Sequence, residues 1–187
     1  ATEREPSATV SDVGLARANS LNVEQTSITD EAKSALAYYS EGYPHFIQQF
    51  AFSAFEVDTD NIINIDDVIG GAFNKRGAIE LIGERYYRDN FYNKIQKESY
   101  RQVLRIMADR QDDWVTKKEI KGKFKGPETT LDNAIAALRD RQIILVKEGE
   151  RGVYRLQHKG FAWWIKLFTT DPAEFQESLL ESIDSAN

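Results

Sequence analysis

Ser99-Tyr-Arg-Gln-Val-Leu-Arg-Ile-Met-Ala-Asp109, then Trp114-Val115, then Thr116-Lys-Lys-Glu-Ile-Lys-Gly-Lys-Phe124, is the stretch on which the fold turns. Tyr100, Val103, Leu104 and Met107 recur at helical spacing, which gives the first segment one apolar face; Arg101, Arg105 and Asp109 fall on the other. Arg110-Gln-Asp-Asp113 breaks that pattern, and Trp114-Val115 is long enough for a stub of strand. Thr116, with Glu119 three residues on, has the spacing of a capping box and predicts a new helix. That helix is expected to bury Ile120 and Phe124 and to stop at Gly126-Pro127.

The pattern continues outward. Thr129 or Thr130 is the expected cap of a third helix, with Leu131, Ala134, Ile135 and Leu138 inward and Asp132, Asn133, Ala136, Arg139 and Asp140 outward. Ile143-Ile-Leu-Val146 and Val153-Tyr-Arg-Leu156 read as two strands, and the polar, two-glycine run Lys147 to Gly152 turns between them. Helix, short strand, helix, helix, strand, turn, strand resembles a winged helix-turn-helix over Glu98 to Phe168. The order of elements carries the resemblance; no single residue does.

The chain has 187 residues, 41% hydrophobic and 11% aromatic, enough to close a core in one large domain or two small ones. There is no cysteine, which excludes a disulfide framework and a thiolate metal site. No apolar run approaches the roughly 18 residues of a membrane span, and no signal-peptide pattern opens the chain. A cytoplasmic setting with no membrane contact is expected. The chain opens on Ala1 rather than methionine, the start expected of a piece excised from a longer protein.

Upstream, residues 1–9 are polar and predict a flexible terminus. Val10 to Ala18 predicts a short helix, and Thr29-Asp-Glu31 starts another with Ala32, Ala35, Leu36 and Tyr39 inward. Gly42-Tyr43-Pro44 stops it. His45 to Glu56 is apolar around most of its circumference, so it is expected to face more than one neighbour. Asp58 to Asn64 reads as a loop. Asp66 is the expected cap of a helix broken near Gly70-Gly71, and Gly77 to Ile95 reads as one long helix with Ile79, Leu81, Ile82, Tyr86, Phe91 and Ile95 inward. The fold class is therefore mostly α: a helical bundle over 10–96, a winged helix with a small antiparallel hairpin over 97–168, and a C-terminal helix and tail over 169–187. The junction Lys94 to Glu98 holds neither Pro nor Gly, so the two parts are expected to pack rather than swing.

Ser40-Glu-Gly-Tyr-Pro-His-Phe-Ile-Gln48 resembles the turn and apolar helix in the lid of AAA+ and STAND-type P-loop ATPases, where a winged helix often follows. Gly14-Leu-Ala-Arg-Ala-Asn19 looks like the first helix of such a lid. The resemblance covers about residues 10 to 168 and implies that Gly42, Tyr43 and Pro44 pack near the adenine of ATP. A proline-fixed turn suits that role, since it offers a rigid apolar edge and backbone groups to a flat base. The sequence departs from the family in having no Gly-x-x-x-x-Gly-Lys-Ser/Thr and no acidic strand for magnesium. No cofactor is therefore expected on this chain alone. ATP would be held only with an upstream ATPase core, and Arg17 is the one candidate to reach a γ-phosphate.

Net charge is −6, which opposes nucleic-acid binding. Its distribution is uneven: Glu98 to Phe168 has 15 basic and 10 acidic residues, a balance of +5, and the remainder carries −11. Lys117, Lys118, Lys121, Lys123 and Lys125 crowd one short helix and its exit; they read either as phosphate contacts or as a solvated face. Asn133 and Arg139 lie on the helix that would read a DNA groove, beside Asp132 and Asp140, which would meet phosphates unfavourably. Arg151 sits in a neutral wing. Phe161-Ala-Trp-Trp-Ile165 and Phe168 read either as a partner stripe or as core. His45 and His158 have no metal-ligand spacing, and no carboxylate pair has a catalytic setting. Three readings follow: a non-catalytic lid and winged helix of a P-loop ATPase, acting on double-stranded DNA or a protein partner; a winged helix used for protein interaction or packing; and a stand-alone DNA-binding regulator.

Overall fold

A computed structural model describes residues 25–111 and 113–169. The helix expected over Val10 to Ala18, Arg17 with its lid-like stretch, and the C-terminal helix beyond 169 lie outside the described residues. Those described form a mostly helical chain with a small three-stranded antiparallel sheet. No helix among them is long and apolar enough to cross a membrane.

A short parallel pair, β1 (Ser27–Ile28) with β2 (Ile62–Ile63), ties the segment before the first described helix to the loop after the second. Helix α1 (Asp30–Ser40) begins where the Thr29 hydroxyl accepts a hydrogen bond from the Ala32 N–H at 3.2 Å, with Asp30 and Glu31 in the favourable first turn. It ends on two consecutive left-handed residues, Glu41 (φ 52°) and Gly42 (φ 76°). Glycine takes that conformation freely and glutamate does so at a cost. Pro44 then opens α2 (Pro44–Val57) at its first position, where a missing N–H costs nothing.

Helix α2 buries Phe46, Phe50, Ser53 and Ala54, but Phe52 and Phe55 are 58% and 51% exposed, so only one side of its wide apolar surface is covered. Helix α3 (Ile65–Phe73) is capped by Asn64, not Asp66: Asn64 Oδ1 accepts from the Asp66 and Asp67 N–H groups, and Asp67 returns the bond to the Asn64 N–H. The Gly70-Gly71 pair does not break this helix. A Cβ at Gly71 would overlap the Ser53–Ala54 backbone, so the glycine lets α2 and α3 approach closely.

Helix α4 (Ala78–Ile82) runs into two π-helical turns, Gly83–Tyr87 and Asn90–Lys94. Each extra residue per turn rotates the inward face by one position. Tyr87 is therefore buried and Tyr86 is exposed, the reverse of what an unbroken α spacing predicts. The last carbonyls of this segment take donors from beyond residue 97. Arg101 donates to the Phe91 and Tyr92 oxygens at 3.1 and 2.9 Å, and Arg141 to the Lys94 oxygen at 3.0 Å.

Helix α5 (Glu98–Ala108) leads to β3 (Val115–Thr116), α6 (Lys117–Lys123), α7 (Glu128–Asp140), β4 (Ile144–Val146), β5 (Val153–Leu156) and α8 (Lys159–Phe168). The capping box at the start of α6 is present: the Glu119 N–H donates to Thr116 Oγ1 at 3.2 Å and the Thr116 N–H to the Glu119 carboxylate at 2.8 Å. Ile120 is fully buried, Phe124 only partly. Helix α7 starts one residue after Pro127 with no side-chain cap, so neither Thr129 nor Thr130 caps it. Its expected inward residues Leu131, Ala134, Ile135 and Leu138 are all buried.

The sheet has the order β3-β5-β4, antiparallel throughout, with Ile144 opposite Leu156 and Val146 opposite Tyr154. Helix α8 is the element both halves share. Its Trp163 meets Phe73 at 5.2 Å between ring centres, and Trp164 packs on Phe91 at 5.7 Å. A Cβ at Gly83 would collide with the Trp164 indole, so this glycine admits the ring. One buried cluster runs from Ala32 to Ile165 without a break at residue 96.

Candidate functional site

The turn Glu41-Gly42-Tyr43-Pro44 seats directly on the first turn of α8. Glu41 Oε2 accepts a hydrogen bond from the Lys159 backbone N–H at 2.8 Å, which satisfies an orphan donor at the start of that helix. The same carboxylate lies 3.7 Å from His158 Nδ1. Tyr43 meets the His158 ring edge-on at 5.0 Å, and Lys159 Nζ sits 3.8 Å above the Tyr38 ring. Two segments 118 residues apart are thereby held in one place.

Between them lies a cavity of about 310 Å³, walled by Tyr43, Phe46, Tyr86, Tyr87, Gln157 and His158 among others. His45 also lines it, so the fold brings together two histidines that the sequence left far apart. Among the described residues no three His, Cys, Asp or Glu side chains group as a metal set. The cavity walls are aromatic, with Tyr86 at 5.0 Å from His45 and 5.8 Å from Phe46. Behind these walls Tyr87 Oη and His158 Nδ1 are fully buried and have no hydrogen-bond partner among the described residues, although His158 Nδ1 faces the Glu41 carboxylate at 3.7 Å. Burial pushes the Tyr87 hydroxyl pKa well above its ordinary value, and the nearby charge of Glu41 adds to this. Tyr87 is thus a neutral donor in an apolar wall. Its signal in the sequence was hidden by the π turns, which exchange it with Tyr86.

Of the three residues singled out in the turn, Tyr43 lines the cavity and Pro44 starts α2, while Gly42 supplies the left-handed step with open space around it. Tyr43 remains 41% exposed.

The lysine-bearing face is organised differently from a free basic patch. Lys117 pairs with Asp132 and, at 3.7 Å, with Glu128; Lys121 pairs with Glu128 at 2.6 Å; Lys123 pairs with Asp109 at 3.2 Å; Arg139 pairs with Asp140 at 2.9 Å. Hydrogen bonding to Asp132 raises the Lys117 pKa, and Lys121 lowers that of Glu128. Lys118, Lys125 and Arg151 are exposed and make no ion pair among the described residues, and Asn133 is exposed on the outer side of α7. Asp109, just past the end of α5, and Glu128 and Asp132 of α7 therefore neutralise most of the positive charge carried by α6.

Phe161, Trp164 and Ile165 are core, Trp163 is partly buried, and only Phe168 of the aromatic stretch is substantially exposed, at 41%. Comparison of the chain with protein-family models found no match, and comparison with curated proteins found none either.

Proposed function

We propose that this chain is a non-catalytic region of a P-loop ATPase, a helical lid followed by a winged helix, that passes the state of a nucleotide held by a separate core to a protein partner. The order of elements from Glu98 to Leu156, with its three-stranded antiparallel sheet, supports the winged-helix reading. The observation that carries the coupling is that Tyr43 and His158 wall one cavity while Glu41 holds the Lys159 N–H. A flat base seated against Tyr43 would find aromatic stacking partners in Tyr86 and His158, and would press on the first turn of α8. No further relay is needed to reach the sheet.

The ion pairs across α6 and α7 favour a protein partner over double-stranded DNA, because phosphates would have to compete with Glu128 and Asp132 for the same ammonium groups. Titration of the isotope-labelled chain with adenosine tests the base contact. Saturable shifts of the Tyr43, His45, Tyr86 and His158 amides are expected at millimolar concentration, since the phosphate cradle is not part of this chain. Unmoved resonances at those positions would discard the contact.

A further inference from the structure

We propose that a second cleft, which shares Gln157 with the aromatic cavity, is a recognition site for a phosphate ester. The cleft has a volume of about 780 Å³ and opens between the end of the second π turn, the start of α5 and the end of α7. Lys94, Lys97 and Arg141 line it, together with the amides Asn93, Gln96 and Gln142. No carboxylate is among its lining residues as far as the described residues go, although the whole chain carries a net charge of −6. The charge of the site is therefore a local property and not a sample of the surface.

Its cations are only partly committed. Lys97 makes no ion pair among the described residues and rests over the Tyr100 ring at 5.4 Å. Arg141 spends one Nη1 hydrogen bond on the Lys94 carbonyl, which fixes its guanidinium at the cleft wall. Lys94 has one exposed partner, Asp89, at 3.4 Å, a contact weak enough to be exchanged for a ligand. Gln142 occupies the left-handed position after α7, with φ 57°, where the Ile143 N–H closes back on the Leu138 oxygen at 2.9 Å. Glycine would relieve that backbone; a glutamine there instead brings an amide to the cleft.

A phosphate ester matches this set. It carries a charge of about −1.5 to −2 and three strong acceptor oxygens, enough to engage several cationic donors and neighbouring amides at once. A monocarboxylate would leave the cations under-neutralised. Asn90, Ile143 and Gln157 line both this cleft and the aromatic cavity, so the organic part of the ester has a sill to cross toward Tyr86 and His158. The site does not depend on the base contact proposed above, which needs the aromatic cavity alone.

The test uses pyrophosphate as the probe, citrate as a polycarboxylate control, and amide shifts of the full chain as the readout. Pyrophosphate is expected to give saturable shifts centred on Lys94, Gln96, Lys97 and Gln142, and citrate to bind clearly more weakly. Lys97→Glu is expected to weaken pyrophosphate binding about tenfold or more, the scale of one charge-assisted contact reversed. Lys118→Glu, an equal charge change on α6, is expected to leave it within about twofold. Arg141→Gln gives a second, uncharged removal; an unchanged amide fingerprint outside the cleft establishes that both variants fold. Equal losses in Lys97→Glu and Lys118→Glu, equal binding of citrate, or no saturation at the cleft would each overturn the assignment.

Discussion

Glu41 Oε2 receives the backbone N–H of Lys159 at 2.8 Å, a bond between the turn that ends α1 and the first turn of α8. With the Tyr43–His158 and Lys159–Tyr38 contacts, it joins the helical half to the strand-bearing half at the rim of the aromatic cavity. Glu41→Ala removes this acceptor, and a hydrogen bond to a charged group contributes about 1.5–3 kcal/mol. Thermal unfolding should move down by several degrees while remaining a single transition. Glu41→Gln keeps a carbonyl oxygen and should lose less than half as much. Equal losses in the two variants would mean that the charge, and not the hydrogen bond, makes the link.

Gly83 and Gly122 should respond oppositely to alanine. At Gly83 the new methyl has no room beside the Trp164 indole, so the α4–α8 contact must open. Overpacking of this kind costs about 1–3 kcal/mol or more. Gly122 lies inside α6 with open space at its Cβ, and alanine there should stabilise by roughly 0.5–1 kcal/mol through helix propensity. Denaturant midpoints of the two variants check both signs at once.

Much of this arrangement was legible from residue spacing, and the exceptions have identifiable causes. The α6 capping box, the inward face of α7 and the antiparallel pairing of Ile144–Val146 with Val153–Leu156 follow from short-range rules of period and capping, and the structure has them. The Tyr86/Tyr87 exchange was not legible, because an extended α period does not announce a π turn. The exchange matters, since it puts Tyr87 rather than Tyr86 in the buried layer, with its hydroxyl lacking a hydrogen-bond partner among the described residues. The pairing of α6 lysines with Asp109, Glu128 and Asp132 was hidden for a different reason: the partners lie on neighbouring helices, and sequence shows charge runs but not which runs face each other.

Glu119 sets a pH dependence on the acid side. Hydrogen bonds from the Thr116 backbone, then from its hydroxyl, then from Arg110 hold its pKa down to about 2 from an ordinary 4.5. Because the folded state has the lower pKa, the contribution of the capping box is complete above pH 4.5 and fades as pH falls towards 2. Carboxyl NMR should find the Glu119 midpoint near 2, and Glu119→Gln should remove that part of the acid-side loss. A midpoint near 4.5 would show that the box does not form in solution.

The internal neutralisation of α6 makes a directional prediction for duplex DNA. The wild-type chain should bind weakly even at low salt. The double variant Glu128→Gln, Asp132→Asn frees Lys117 and Lys121 and should raise affinity about tenfold, with a steeper salt dependence. Fluorescence anisotropy against salt measures both. Tight, steeply salt-dependent binding by the wild-type chain would reverse the preference for a protein partner.

The central claim is that a base at the Tyr43 turn is felt at α8 through Glu41. Adenosine titrated into the wild-type chain and into Glu41→Ala, read at the amides of Tyr43 and Lys159 together, tests it most directly. Shifts are expected at both positions in the wild type and, in the variant, shifts that persist at Tyr43 and vanish at Lys159. Equal propagation to Lys159 in the two proteins, or no response at Tyr43 in either, would contradict it.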